Sequence, residues 1–174
     1  ELVKHESRQI DTSFEQFPGK HRTVIDCFTE TTFWLCERGG SKKQWQLIVR
    51  AYDDGVAWRY HFPAQDGWQQ LDLVDEESEF NFPTSAKATL LPLAGFTTSH
   101  ENYFQQKSVG EISTDGVIGL PLLVQLPDQL WAAVLEANLT DYAGMYLAKN
   151  DATSSTLVSR LSPRPDKSGL AVRA

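Results

Sequence analysis

Gln44-Trp45-Gln46-Leu47-Ile48-Val49-Arg50-Ala51-Tyr52 runs into Asp53-Asp54-Gly55 and out again through Val56-Ala57-Trp58-Arg59-Tyr60-His61-Phe62, and the reading of this stretch decides the fold. Side chains alternate between the two faces of a strand, so Trp45, Leu47, Val49 and Ala51 share one face, with Gln44, Gln46, Ile48 and Arg50 on the other. After the Asp-Gly step, Val56, Trp58, Tyr60 and Phe62 alternate with Ala57, Arg59 and His61. Two alternating runs joined through Asp-Gly predict a β-hairpin, with Gly55 supplying the positive φ of the turn. The pattern assigns Trp45, Trp58 and Tyr60 to core faces.

Working outward, Arg22 to Cys36 is rich in Thr, Val, Ile, Phe and Trp and predicts one long strand, or a strand with a bulge. Weaker strands are expected at Glu77 to Phe82, where Phe80 and Phe82 share a face, and at Ala88 to Leu91, with Pro83 and Pro92 as punctuation. The second half reads as Leu122 to Leu126, a turn at Pro127-Asp128, then Leu130 to Glu136, Met145 to Lys149 and Thr156 to Leu161. No window of helical periodicity interrupts this series. Short strands between Gly, Pro, Asp and Asn turns predict an all-β antiparallel sandwich. Ser162-Pro163-Arg164-Pro165-Asp166 has the composition of a linker.

The chain has 174 residues, enough for one domain and too few for two ordinary ones. Its 16 Lys and Arg against 23 Asp and Glu give a formal charge of −7. That balance argues against a nucleic-acid partner, which would need clustered basic residues to neutralise phosphates. The apolar run Leu120 to Leu126 is strand-length and broken by Pro121 and Gln125, so membrane insertion by a helix is not expected. Cys27 and Cys36 lie in the same long extended run, roughly 30 Å apart at about 3.3 Å per residue and on opposite faces, so no disulfide is expected between them unless the run folds back at Glu30-Thr31.

Zinc-finger Cys pairs, HExxH, GxSxG, P-loop and GxGxxG patterns do not occur, which removes several enzyme classes. His5, His21, His61 and His100 are scattered, and none has metal-ligand spacing to another. The acidic run Asp72, Asp75, Glu76, Glu77 and Glu79 reads as a solvated face. Trp68, beside Gly67 in a turn, is the aromatic expected to be exposed. Asn138-Leu139-Thr140 matches a glycosylation acceptor, a pattern that matters only in a eukaryotic secretory pathway. Glu136 to Tyr142 places a carboxylate, an amide and a second carboxylate at the exit of a buried strand, the oxygen chemistry that Ca²⁺ takes. Spacing alone makes the same segment an ordinary strand-to-turn passage, with Asn138 and Asp141 capping the turn through side-chain to backbone hydrogen bonds.

Two blocks carry a resemblance. Arg50-Ala51-Tyr52-Asp53-Asp54-Gly55-Val56-Ala57-Trp58-Arg59-Tyr60 resembles a signature of the N-terminal domain of glycoside hydrolase family 97. Leu135-Glu136-Ala137-Asn138-Leu139-Thr140-Asp141-Tyr142-Ala143-Gly144-Met145 is similar to a second, with Ala143 where proline is common. Pro92, Glu101, Tyr103 and Leu161-Ser162-Pro163 also fit, less specifically, and the resemblance covers residues 20 to 165.

The resemblance implies a bacterial, periplasmic or secreted Ca²⁺-dependent α-glycosidase acting on α-glucosides or α-galactosides. Its N-terminal antiparallel β-super-sandwich, of galactose mutarotase-like type, would pack on a catalytic (β/α)₈ barrel of the same polypeptide. The barrel supplies the catalytic acid and the base or nucleophile, so no catalytic residue is expected within 1–174. Glu136 matches the glutamate that this domain gives to the calcium. By the same resemblance, residues 1–174 are part of that domain, incomplete at its N-terminal side, and 162–174 lead toward the barrel. Two other readings stand beside this one. One is a free-standing carbohydrate-binding sandwich using exposed aromatics such as Trp68. The other is a mutarotase-like sugar epimerase using His61, or His100 with Glu101.

Overall fold

A computed structural model describes residues 1–40, 42–67 and 70–174. Antiparallel strands make up all of its sheets, as expected, and they fall into two compact units, Glu1–Gln69 and Gln70–Ala174. Each sheet completes its pairing inside its own unit.

The first unit is a four-stranded meander of β1 (Leu2–Glu15), β2 (Thr23–Cys36), β3 (Gln44–Ala51) and β4 (Val56–His61). The predicted hairpin is present, with Val49 opposite Trp58 and Leu47 opposite Tyr60. Its turn differs from the expected one. The Tyr52 N–H donates to the Gly55 carbonyl at 2.8 Å, and Gly55 is not among the residues with positive φ. A four-residue connection spreads the reversal, so no residue needs the left-handed region that a two-residue Asp-Gly turn demands.

β1 carries no apolar alternation, which is why the sequence hides it. It pairs with β2 along nearly its whole length, and cross-strand pairs decorate the ladder. The Lys4 ammonium lies 4.1 Å from the Trp34 ring centroid, and Ser7 bonds Thr31 at 2.8 Å. Of the meander, Phe28 and Glu30 are buried. Trp58 and Tyr60 are exposed on β4, contrary to the core assignment that alternation gave them. Alternation shows which side chains share a face, and here that face stays open.

The second unit adds β5 (Asp72–Leu73), β6 (Glu79–Asn81), β7 (Lys87–Leu93), β8 (Gln105–Ser108), β9 (Val117–Gln125), β10 (Trp131–Val134), β11 (Met145–Ala148), β12 (Thr156–Leu161) and β13 (Val172–Arg173). Its main sheet has the order β6-β12-β11-β9-β7-β8, with β10 also on β9. Leu122, Val124, Leu147 and Leu157 fill its core, with Phe80 and Phe82 packed alongside as their shared face predicts. Burying a leucine contributes roughly 1.5–3 kcal/mol, so these positions anchor the unit.

Pro92 lies inside β7, opposite Ile118, instead of ending it. The pairing of β7 with β8 stops at Leu90, and the Pro92 carbonyl accepts a bond from Asn102 Nδ2 at 2.8 Å on that side. The N–H that proline lacks would face the same side, where no strand needs it. Residues 162–174, a linker by composition, carry β13. It pairs with β5 and buries Ala171 and Val172 against Leu161. Among the described residues no helix is long and apolar enough to cross a membrane.

Candidate functional site

β9 is longer than either neighbour on one of its edges and serves both in turn. Its residues Leu122 to Gln125 pair with β10, and Ile118 pairs with Leu147 of β11. The end of β10 and the start of β11 therefore meet along the same strand. Between them residues 135–144 loop outward, and Asn138 and Asp141 bend that loop with φ of 51° and 50°. These two residues shape the turn through left-handed backbone, which Asn and Asp tolerate better than most. Among the described residues neither side chain makes the backbone hydrogen bond expected of a cap.

Glu136 sits two residues past β10, at this junction. Its Oε1 accepts the N–H of Met145, the first residue of β11, at 2.9 Å. Oε2 has no hydrogen-bond partner among the described residues, and a Cβ placed on Gly144 would sit 3.9 Å from it, in ordinary contact. Burial pushes the Glu136 carboxyl above its usual range, the charge of Glu76 adds to the effect, and the Met145 N–H opposes it.

Glu76 is brought near from sixty positions upstream. The Tyr142 hydroxyl donates to Glu76 Oε2 at 3.1 Å, while Tyr142 itself packs against the cluster around Leu161 and Val172. The acidic run is thus more than a solvated face. Asp75 accepts the Leu161 N–H at 2.8 Å, and Asp72 pairs with Arg173 at 2.9 Å. Sequence reasoning missed the influence of the Glu76 charge on Glu136, because nothing local marks the Tyr142 bond that ties Glu76 to this loop.

A carboxylate with one oxygen anchored to backbone, one oxygen bare and its charge penalised by burial and a second carboxylate suits a hard cation. It is one ligand, not a cage. Among the described residues no group of three or more His, Cys, Asp or Glu gathers to hold a metal.

His61, in the first unit, bonds Gln46 through Nδ1 at 2.9 Å. His100 Nε2 bonds the Tyr146 hydroxyl at 2.9 Å, so its ring is committed to β11 and is not paired with Glu101. Trp68 lies outside the described residues. Cys27 and Cys36 are free thiols, as expected.

The family profile described as Glycosyl-hydrolase 97 N-terminal matches residues 1–168, which includes β1. A retaining alpha-galactosidase of Bacteroides thetaiotaomicron is 27% identical over 135 residues, covering 72% of this chain and 20% of that protein. A probable retaining alpha-galactosidase of Streptomyces bingchenggensis is 36% identical over 105 residues, covering 60% of this chain and 15% of that protein. The chain thus spans a fifth or less of the curated relatives it matches. Among solved structures, a glycoside hydrolase family 97 enzyme variant from Pseudoalteromonas shares the fold with a TM-score of 0.86 and 24% identity, over 99% of this chain and 25% of that one. A beta-arabinopyranosidase does so with a TM-score of 0.83 and 20% identity, over 100% of this chain and 29% of that one.

Proposed function

Because the chain belongs to the glycosyl-hydrolase 97 N-terminal family, we propose that it is the non-catalytic N-terminal portion of a Ca²⁺-dependent α-glycosidase and gives Glu136 to the metal. In this reading it packs on a catalytic (β/α)₈ barrel of the same polypeptide, and the enzyme is periplasmic or secreted. The substrate is an oligosaccharide with a terminal α-linked sugar. The names of the two curated relatives favour α-galactosides and a retaining course over α-glucosides.

The observation that carries the proposal is the Glu136 carboxylate at the β10–β11 junction. Oε1 is fixed to the first N–H of β11 and Oε2 is left for a cation. The chain's own part is to bind and orient. The Met145 N–H sets the direction of the carboxylate, and the nearby Glu76 charge raises the energy of Glu136 ionised without a cation. Bound Ca²⁺ would supply an electrophile that orients substrate hydroxyls and steadies developing charge. One ligand from this chain would tie the sandwich to catalysis, because the metal site would be complete only when the sandwich and the barrel are assembled.

The intact mass of the natural polypeptide tests the reading. A mass several times 19.6 kDa, with chelator-sensitive hydrolysis of an aryl α-galactoside or α-glucoside, is expected. A natural chain near 19.6 kDa overturns it.

A further inference from the structure

The loop that carries Glu136 is packed on its outgoing side. Residues 135–141 are exposed, whereas Tyr142 to Met145 are half-buried. Tyr142, Ala143 and Met145 lie against Leu161, Ala171 and Val172, and the Ser162 N–H donates to the Gly144 carbonyl at 2.8 Å. Tyr142 is thus where the exposed passage ends and the fixed approach to β11 begins.

Two segments distant in sequence supply what Tyr142 leans on. Val172 and Arg173 pair with Leu73 and Asp72, and the Ala171 N–H donates to the Leu73 carbonyl at 2.8 Å. Behind them, the fully buried Ser159 of β12 accepts the Ser78 N–H through Oγ at 3.0 Å and donates to the Glu76 carbonyl at 2.9 Å. Asp75 takes the Leu161 N–H at 2.8 Å. The backbone of Glu76 is therefore fixed to β12, and its carboxylate is a stationary acceptor for the Tyr142 hydroxyl at 3.1 Å.

The register shows how this hold reaches Glu136. Met145 stands opposite Leu161, yet neither N–H serves the other strand: Glu136 takes that of Met145 and Asp75 that of Leu161. Alternate pairs of an antiparallel ladder turn their N–H groups outward in this way. Glu136 is aimed by a donor whose place depends on where β11 starts, and β11 starts three residues after Tyr142.

We propose that Tyr142 is a positioning residue for Glu136: its hydroxyl on Glu76 and its ring on Leu161 and Val172 fix the turn into β11, and with it the Met145 N–H that orients the carboxylate. Residues 162–174 then act as a strap, because Ala171 and Val172 form part of the surface that holds the ring. Tyr142 acts through Met145 and Glu136, not on the ion. This role rests on the reading of Glu136 as a calcium ligand.

Tyr142→Phe keeps the ring and removes the bond to Glu76. Tyr146→Phe is the matched control, since it loses a hydroxyl bond to His100 at 2.9 Å on β11 itself. In the complete natural protein, amide exchange at Met145 is read without Ca²⁺ by mass spectrometry with single-residue fragmentation, and the Ca²⁺ midpoint is read from the melting temperature. Tyr142→Phe is expected to speed Met145 exchange at least about ten-fold, the equivalent of one ordinary hydrogen bond. It should raise the Ca²⁺ midpoint at least about five-fold, because losing a group that orients a metal ligand costs about ten- to a hundred-fold and Tyr142 is one step further removed. Tyr146→Phe should leave both within about two-fold. Unchanged Met145 exchange in Tyr142→Phe overturns the proposal, and so does faster exchange with an unchanged midpoint. Equal effects of the two variants also overturn it, since they would mark a general loosening of the sheet. A wild-type protein with no Ca²⁺ response is instead the failure of the calcium reading, and Met145 exchange then still decides whether Tyr142 positions Glu136.

Discussion

Glu30 is a buried carboxylate in a sheet that is otherwise largely open, and its neighbours account for it. Arg8 donates to Oε1 through Nε at 2.9 Å and Nη2 at 2.6 Å, and Arg50 donates to Oε2 through Nε at 2.9 Å. The Arg50 guanidinium also lies 4.5 Å from the Phe28 ring centroid. Burial alone would raise the Glu30 pKa, but the bonds from Arg50 and Arg8 outweigh it and hold the carboxyl below its ordinary value. A depressed folded value means that this contribution is full above the ordinary carboxylate range and is lost as pH falls through the lowered value. Both arginines face solvent, so screening limits the effect. Arg50→Ala should cost roughly 1–3 kcal/mol at neutral pH in a denaturant titration, with the difference shrinking in acid. The arginine in the family-like block therefore has a structural role that sequence periodicity alone does not reveal, since Arg8 comes from a strand with no hydrophobic signal.

At the scale of the element, the strands that were legible are those rich in apolar or β-branched residues, whether they are buried, as on β12, or open, as on β4. β12 lies where the sequence places it, at Thr156–Leu161, with Leu157, Val158, Ser159 and Leu161 buried. The meander's β1 was invisible because cross-strand charge and hydroxyl pairs, rather than apolar contacts, accompany its ladder. Glycine shows the same contrast. Gly55 looked essential to the hairpin, yet its φ is not positive and a Cβ there would meet nothing within 4 Å. Gly116, which precedes β9, has φ 74°, and a Cβ there would lie 2.3 Å from the Leu93 carbonyl oxygen. Gly55→Ala should change stability by no more than about 0.5 kcal/mol, and Gly116→Ala should cost about 2 kcal/mol or more, measured by thermal unfolding. Equal effects of the two substitutions would contradict this assignment of the turns.

For the whole molecule, the fold class and the position of Glu136 at the exit of a strand were readable because strand alternation and two family-like blocks are local. The division into two units, the pairing of residues 162–174 with β5 and the approach of Glu76 to Glu136 were not, since each joins distant parts of the chain. Glu136 also makes the account testable. Its raised folded pKa implies that protonation favours the folded state, fully below the ordinary carboxylate value and no longer as pH rises through the folded one. At neutral pH its charge is unfavourable, and in the proposed reading bound Ca²⁺ would relieve it. Glutamine keeps an oxygen for the Met145 N–H and removes the charge. The decisive measurement is a Ca²⁺ titration of thermal stability and α-glycosidase turnover in the complete natural protein and its Glu136→Gln variant. The account predicts a wild-type melting shift that saturates with Ca²⁺, by about 2.7 kcal/mol at a hundred times Kd. It also predicts a variant at least as stable without the ion, with the shift and most turnover lost. Superimposable titrations and equal turnover would contradict it.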